Sequence, residues 1–176
     1  MSMQPVVQSG GSFDTRASAG HSGQAELSFM LTRHGFDVMQ TGQENWLLGS
    51  VHDALRFEHD DLMVRAVRYV PDLLAYRADF PLAWWEAKVN TTPNTTNFTL
   101  EKACYDELMA RHAKGERVVV AFRDTDNKWR ANWVEKLSVE CDMSGQRLVA
   151  RGSHTPYLLI PKAATVGISD FLPDFY

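Results

Sequence analysis

The sequence predicts an α/β fold in which a central mixed β-sheet is flanked by helices. Three observations carry that expectation. Stretches with a helical period alternate along the chain with stretches of strand character. The segment Val70 to Asn90, VPDLLAYRADFPLAWWEAKVN, reads as two strands joined by a turn. A helix and then an apolar strand follow it, which demands a crossover and hence a parallel pair within the sheet.

At 176 residues and 44% hydrophobic, the chain suits one domain with a sizeable core. Lys and Arg number 18 against 22 Asp and Glu, a net charge of -4, so there is no general attraction to nucleic acid. Binding to DNA would have to rest on a local basic surface, with any bound metal neutralising the acidic residues around it. Cys104 and Cys141 are far apart and show neither zinc-ligand spacing nor a disulfide framework, so reduced, buried thiols are expected. With no apolar run near membrane-spanning length and no basic-then-apolar leader, the expectation is a soluble cytoplasmic protein with no membrane partner, in a host cytoplasm if the chain is phage-encoded.

Residues 1–21 are rich in Ser, Gly, Gln and Ala and read as a flexible arm, leaving 22–176 as the single domain. Ser22 then caps a helix, SGQAELSFMLTRHG, with Leu27, Met30 and Leu31 at helical spacing and Gly35 as its stop. Glu26 lies on the flank of that helix, either as a solvated carboxylate or pointing along the core edge toward the sheet. Phe36 to Gln40 forms a first strand, and Gly42 breaks it. In ENWLLGSVHDALRFEHDD, Trp46, Leu47, Val51, Ala54, Leu55 and Phe57 mark a second helix interrupted by Gly49. Its His52 and His59, with Asp53, Asp60 and Asp61, admit a metal reading beside that of a solvated face.

Leu62 to Val70 and Leu73 to Tyr76 are strand-like runs separated by Pro71-Asp72, and Arg77 to Pro81 supplies turn chemistry before the strand Leu82 to Val89. The polar loop Asn90 to Asn97 offers Asn90, Thr91 and Thr92 as phosphate contacts, or is an ordinary solvated loop. Thr99 can cap the helix LEKACYDELMARHAKG, whose buried stripe is Leu100, Ala103, Cys104, Leu108 and Met109 and whose stop is Gly115. Arg117 to Phe122 is the apolar strand of the crossover. Beyond it, Trp129 to Leu137, Val139 to Met143 and Gln146 to Arg151 read as strands extending the sheet at its edge. The end, GISDFLPDFY, is acidic and aromatic, and reads either as a protein-recruiting tail or as a terminus packed on the core.

Candidate chemistry is concentrated at the hairpin. Alternation puts Glu86 and Lys88 on one strand face, shared by Trp84 and Asn90, with Ala87 and Val89 turned away. Asp72 on the partner strand can converge on them. Two carboxylates suit a hard divalent cation such as Mg2+, and an ammonium beside them can orient an attacking water. These are the parts needed to hydrolyse a phosphodiester.

Pro71, Asp72, Glu86 and Lys88, in this order of elements, resemble the name motif of the PD-(D/E)XK, or restriction-endonuclease-like, nuclease superfamily. Upstream, Gly23, Glu26, Gly35 and Phe36 look most like the first helix and strand of the archaeal and phage Holliday junction resolvases. The match spans roughly Ser22 to Phe122. It implies a restriction-endonuclease-like core, and this chain departs from the resolvases in inserting a helix, within Gly42 to Asp61, between the first strand and the Pro-Asp strand, where they have a short connection. It also implies Mg2+, with Mn2+ as a substitute, held by Glu26, Asp72, Glu86 and the Ala87 carbonyl, with Lys88 positioning the water. By this resemblance the chain is a metal-dependent DNA nuclease, a structure-selective endonuclease resolving Holliday junctions. Branched or duplex DNA would be its partner, and a homodimer its working form. Lys102 and Tyr105 join Asn90, Thr91 and Thr92 as nucleic-acid contacts, although Glu101 stands where the exonuclease branch carries the Gln of its Gln-x-x-x-Tyr signature. The alternatives are an exonuclease or restriction-like enzyme of the same superfamily, and a catalytically silent member that binds nucleic acid or protein.

Overall fold

A computed structural model describes residues 13–42, 62–90, 96–140, 147–149 and 156–172. The first helix, α1, spans Phe13–Arg33, so it begins ahead of the Ser22 cap. Ala17 and Ala19, strong helix formers without an apolar stripe, carry it through a stretch that composition marks as an arm. Residues 1–12 of that arm, and the inserted helix with its His52 and His59, lie outside the described residues. Gly35 ends α1 as expected: it adopts φ 79° and donates its N–H to the Thr32 carbonyl at 2.9 Å.

Strand β1, Asp37–Gln40, follows. Leu62–Arg68 is a helix, α2, where a strand was expected, because a short run mixing β-branched and long side chains fits either period. The hairpin is β2, Leu73–Arg77, and β3, Phe80–Val89. Past it, Asn97–Glu101 is a fourth strand, β4, so Thr99 is not a cap, and α3, Lys102–Ala113, starts after Glu101 without a side-chain cap. Gly115, at φ 89°, closes that helix. Strand β5 is Val118–Arg123. The run expected as one strand from Trp129 divides into β6, Trp129–Trp133, and a helix, α4, Val134–Glu140. Short strands β7, Arg147–Val149, β8, Pro156–Pro161, and β9, Val166–Gly167, precede α5, Ile168–Phe171.

The main sheet has six strands in the order β1-β2-β3-β5-β6-β9. Within it β3 and β5 are the parallel pair, with Glu86 beside Val120 and Lys88 beside Phe122. A separate sheet of three strands, β4-β8-β7, takes up the later strands that edge extension of the main sheet would have used. One face of the main sheet buries Leu27 and Leu31 of α1 against Trp85, Val119 and Ala121, with Ile168 of α5. The other face buries Val118, Val120 and Phe122 against Phe98 and Ile160 of the small sheet, Cys104 and Leu108 of α3, and Leu137 of α4. Phe171 packs 5.5 Å from the Trp133 ring and 5.8 Å from Trp85, and Leu172 is buried, so this part of the acidic-aromatic end belongs to the core. Residues 173–176 are outside the described set. Among the described residues no helix is long and apolar enough to cross a membrane.

Candidate active site at the open end of the hairpin

The β2/β3 register pairs Leu73 with Trp85, and one step further along the same register sets Asp72 across from Glu86. Both carboxylates are buried, at 8% and 5% exposure. Asp72 is held by its two oxygens. Oδ2 accepts the Ala87 N–H at 2.7 Å, and Oδ1 accepts the Gln24 side-chain amide at 2.7 Å. Glu86 Oε1 is paired with the Lys88 ammonium and accepts the Cys104 thiol at 3.4 Å. Because Trp84, Glu86 and Lys88 alternate with Trp85 and Ala87, the Glu-Lys pair faces the core built around α3, whereas Ala87 packs with α1.

The electrostatics follow from burial and proximity. Burial by itself would lower the Lys88 ammonium, but the neighbouring Glu86 carboxylate more than offsets this and holds it well above the ordinary lysine value. Lys88 is therefore a permanent cation at neutral pH, suited to attracting negative charge and unsuited to accepting a proton. Burial pushes the Cys104 thiol well up, and Glu86 pushes it further, so Cys104 remains a neutral donor. On the same side, the Tyr69 hydroxyl donates to Glu101 Oε1 at 2.7 Å. Burial and that bond raise the Tyr69 phenol far above its usual range.

Glu26 is not part of this cluster. Its carboxylate receives the Trp129 indole N–H at 3.1 Å and pairs with Arg123. It lies with α1 on the face of the sheet opposite Glu86, and among the described residues no group of three or more His, Cys, Asp or Glu is placed to hold a metal. The position that does reach Asp72 from α1 is Gln24. A signal for it exists in the sequence: Gln24, Leu27 and Leu31 share one helical stripe, so a polar residue sits where the buried face predicts an apolar one. Cys104 and Tyr69, also missed, carry no such local mark.

The expected nucleic-acid contacts are dispersed. Asn90 is half-buried at the end of β3, its N–H bonded to the Arg123 carbonyl at 2.9 Å. Lys102 is committed to Asp106, bonding both carboxylate oxygens at 2.6 Å. Tyr105 packs against the α3-side core. Thr91 and Thr92 lie outside the described residues.

No family model matches the sequence, and no curated protein does. Among solved structures the chain is similar to Hjc, a Holliday junction resolvase from the archaeal hyperthermophile Archaeoglobus fulgidus, with a TM-score of 0.54 and 14% identity over 89% of this chain and 98% of that one. It also aligns with D212, a nuclease from a fusselovirus, at a TM-score of 0.43 and 11% identity over 96% and 93% of the two chains. The likeness to Hjc establishes the fold, a central mixed sheet flanked by helices, and no more than the fold.

Proposed function

We propose that the chain is a metal-dependent nuclease that hydrolyses DNA phosphodiesters at Asp72, Glu86 and Lys88, acting as a structure-selective endonuclease on four-way junctions. The observation that carries this reading is the convergence of two buried carboxylates and a buried-stem ammonium at one end of the hairpin, on the fold of a nuclease. The junction substrate is taken from the resolvase whose fold the chain shares, and a homodimer would allow two strands to be cut symmetrically.

The donor set fits a hard divalent cation. Asp72 and Glu86 offer carboxylate oxygens and the Ala87 carbonyl a backbone oxygen. Mg2+, or Mn2+ in its place, supplies Lewis-acid stabilisation of charge developing on the phosphoryl oxygens. The protein's own contributions are separate from that. Lys88 presents a fixed positive charge beside Glu86 and favours the attacking water and the phosphoryl group in its vicinity. The Ala87 N–H and Gln24 fix Asp72, and the Cys104 thiol fixes Glu86, so neither carboxylate must reorganise as the reaction proceeds.

A panel of four-way, flapped, linear and single-stranded DNA in Mg2+ tests the proposal. Cleavage by the wild type and its loss in Glu86→Gln and Lys88→Met, with far-UV circular dichroism unchanged, are expected. Full activity in either variant would refute the assignment of residues, and intact DNA throughout would refute the nuclease reading. A second reading, a silent DNA-binding member of the fold, is favoured by one observation: Gln24 occupies the α1 position beside Asp72, so the described acidic set stops at two. Stoichiometric Mn2+ binding by calorimetry would exclude it.

A further inference from the structure

We propose that Cys104 is a positioning residue of this same site: its thiol pins one oxygen of Glu86 and so reserves the other, Oε2, for the divalent cation. The inference rests on the metal-dependent reading above. Two donors converge on Glu86 Oε1, the Lys88 ammonium and the Cys104 thiol, the latter at 3.4 Å. An ammonium and a divalent cation repel each other, so a cation does not share the oxygen that Lys88 already holds. Oε2 is then the oxygen that meets it, and Glu86 binds through a single arm. The terminal torsion of a glutamate is soft and roughly two-fold, so its oxygens exchange by a half turn unless something fixes them.

Lys88 is not that fixed point. Its ammonium rides on a flexible stem, the side chain is 34% exposed, and it can follow the carboxylate as it turns. Cys104 has a single side-chain torsion and is 1% exposed on α3. It lies in one core with Leu108 and Val120, and Val120 is the β5 residue paired with Glu86. The helix thus delivers a donor to Glu86 through the same interface that buries its apolar side. The residue type meets both demands, because cysteine packs as a small hydrophobe and still offers an S–H. Serine would keep the donor and lose packing, whereas valine would keep the apolar packing and lose the donor. Stability and cation binding therefore respond to these substitutions in opposite order, which a residue that merely fills the core would not produce.

Calorimetric titration of Mn2+ in the absence of DNA, paired with thermal unfolding of the metal-free protein, tests this in the wild type, Cys104→Ser, Cys104→Val and Cys104→Ala. Cys104→Val is expected to unfold at a higher temperature than Cys104→Ser, yet to bind Mn2+ about tenfold more weakly than the wild type. Cys104→Ser should bind within about threefold of the wild type, and Cys104→Ala, too small to overpack, should share the weak binding of Cys104→Val. Wild-type Mn2+ affinity in Cys104→Val and Cys104→Ala would overturn the proposal, as would binding by Cys104→Ser as weak as that of Cys104→Ala. If Cys104→Val fails to fold, the comparison of Cys104→Ala with Cys104→Ser decides alone. Wild-type protein that binds Mn2+ in this Cys104-dependent way and cleaves no DNA supports the positioning role while ending the nuclease reading. Absence of any wild-type Mn2+ binding overturns both.

Discussion

Removing the Glu26 carboxylate should lower stability and leave the chemistry intact. In Glu26→Ala the Trp129 indole N–H, on a side chain that is 6% exposed, loses its acceptor. An unsatisfied buried donor costs about 1–3 kcal/mol, and the lower half applies because Glu26, 39% exposed, opens a path for replacement water. The Arg123 ion pair adds about 0.2–1 kcal/mol, discounted for the same exposure. The sum, about 1–3 kcal/mol, corresponds to a fall in Tm of about 3–9 °C for a domain of this size. Glu26→Gln retains a carbonyl acceptor for Trp129 and should lose about 1 kcal/mol or less. Thermal unfolding followed by circular dichroism, with cleavage assayed well below either midpoint, separates the two quantities. Cleavage within about threefold of wild type is expected for both variants. A roughly hundredfold loss in Glu26→Gln, with its Tm unchanged and its Mn2+ binding abolished, would refute the reasoning and return Glu26 to the metal site.

Other outcomes follow from the packing. A Cβ at Gly23 would lie 2.3 Å from Val89 Cγ2, on a stiff β-branched side chain, so Gly23→Ala should lift α1 from β3. Overpacking of about 1–3 kcal/mol, set against about 1 kcal/mol of gained helix propensity, leaves a modest loss in denaturant titrations and a larger loss of cleavage as Gln24 leaves Asp72. Gly20→Ala is the control: nothing lies within 4 Å of its added Cβ, and stability should rise by up to about 1 kcal/mol with cleavage unchanged. In a Cys141→Ser background, Cys104 should resist a thiol reagent at pH 8 in the native state and react once unfolded. Burial and Glu86 raise its pKa, so the thiolate stays scarce until the pH is far above 8, and rapid native labelling would contradict the buried contact. Phe171→Ala should cost about 3 kcal/mol in urea unfolding by emptying the space beside Trp85 and Trp133, whereas a loss near zero would show that the ring is not part of the core.

The hairpin, its turn and the crossover to β5 were legible because strand alternation, turn chemistry and an apolar run are all local signals. The convergence of Asp72 with Glu86 and Lys88 followed from alternation along one strand together with the hairpin that brings Asp72 alongside it. What escaped local reading was set by distant pairing. Asn97 to Glu101 looks like loop and helix start until Phe98 pairs with Ile160, and nothing near Phe98 announces that partner. Leu62–Arg68 fits both periods over so short a run, and its helical choice is made by what it packs against. Glu26 entered the candidate site through the resemblance, whereas Gln24, which reaches Asp72 from α1, is marked in the sequence only as a polar interruption of a buried stripe.

The aromatic contact that α5 makes has a consequence for the order of events during synthesis. Gln24, Asp72, Glu86, Lys88 and Cys104 all emerge in the first part of the chain, yet Trp85, which directly precedes Glu86, is enclosed by Phe171 from the far end of the described structure. The residues of the candidate site are thus synthesised before the ring that completes the aromatic cover over Trp85, alongside Phe36 and Phe80. Contacts of such long range form late and slowly. A nascent chain that has reached Cys104 would therefore carry these side chains beneath an aromatic cluster that still lacks Phe171, and its strand β3 would be held less firmly than in the finished fold.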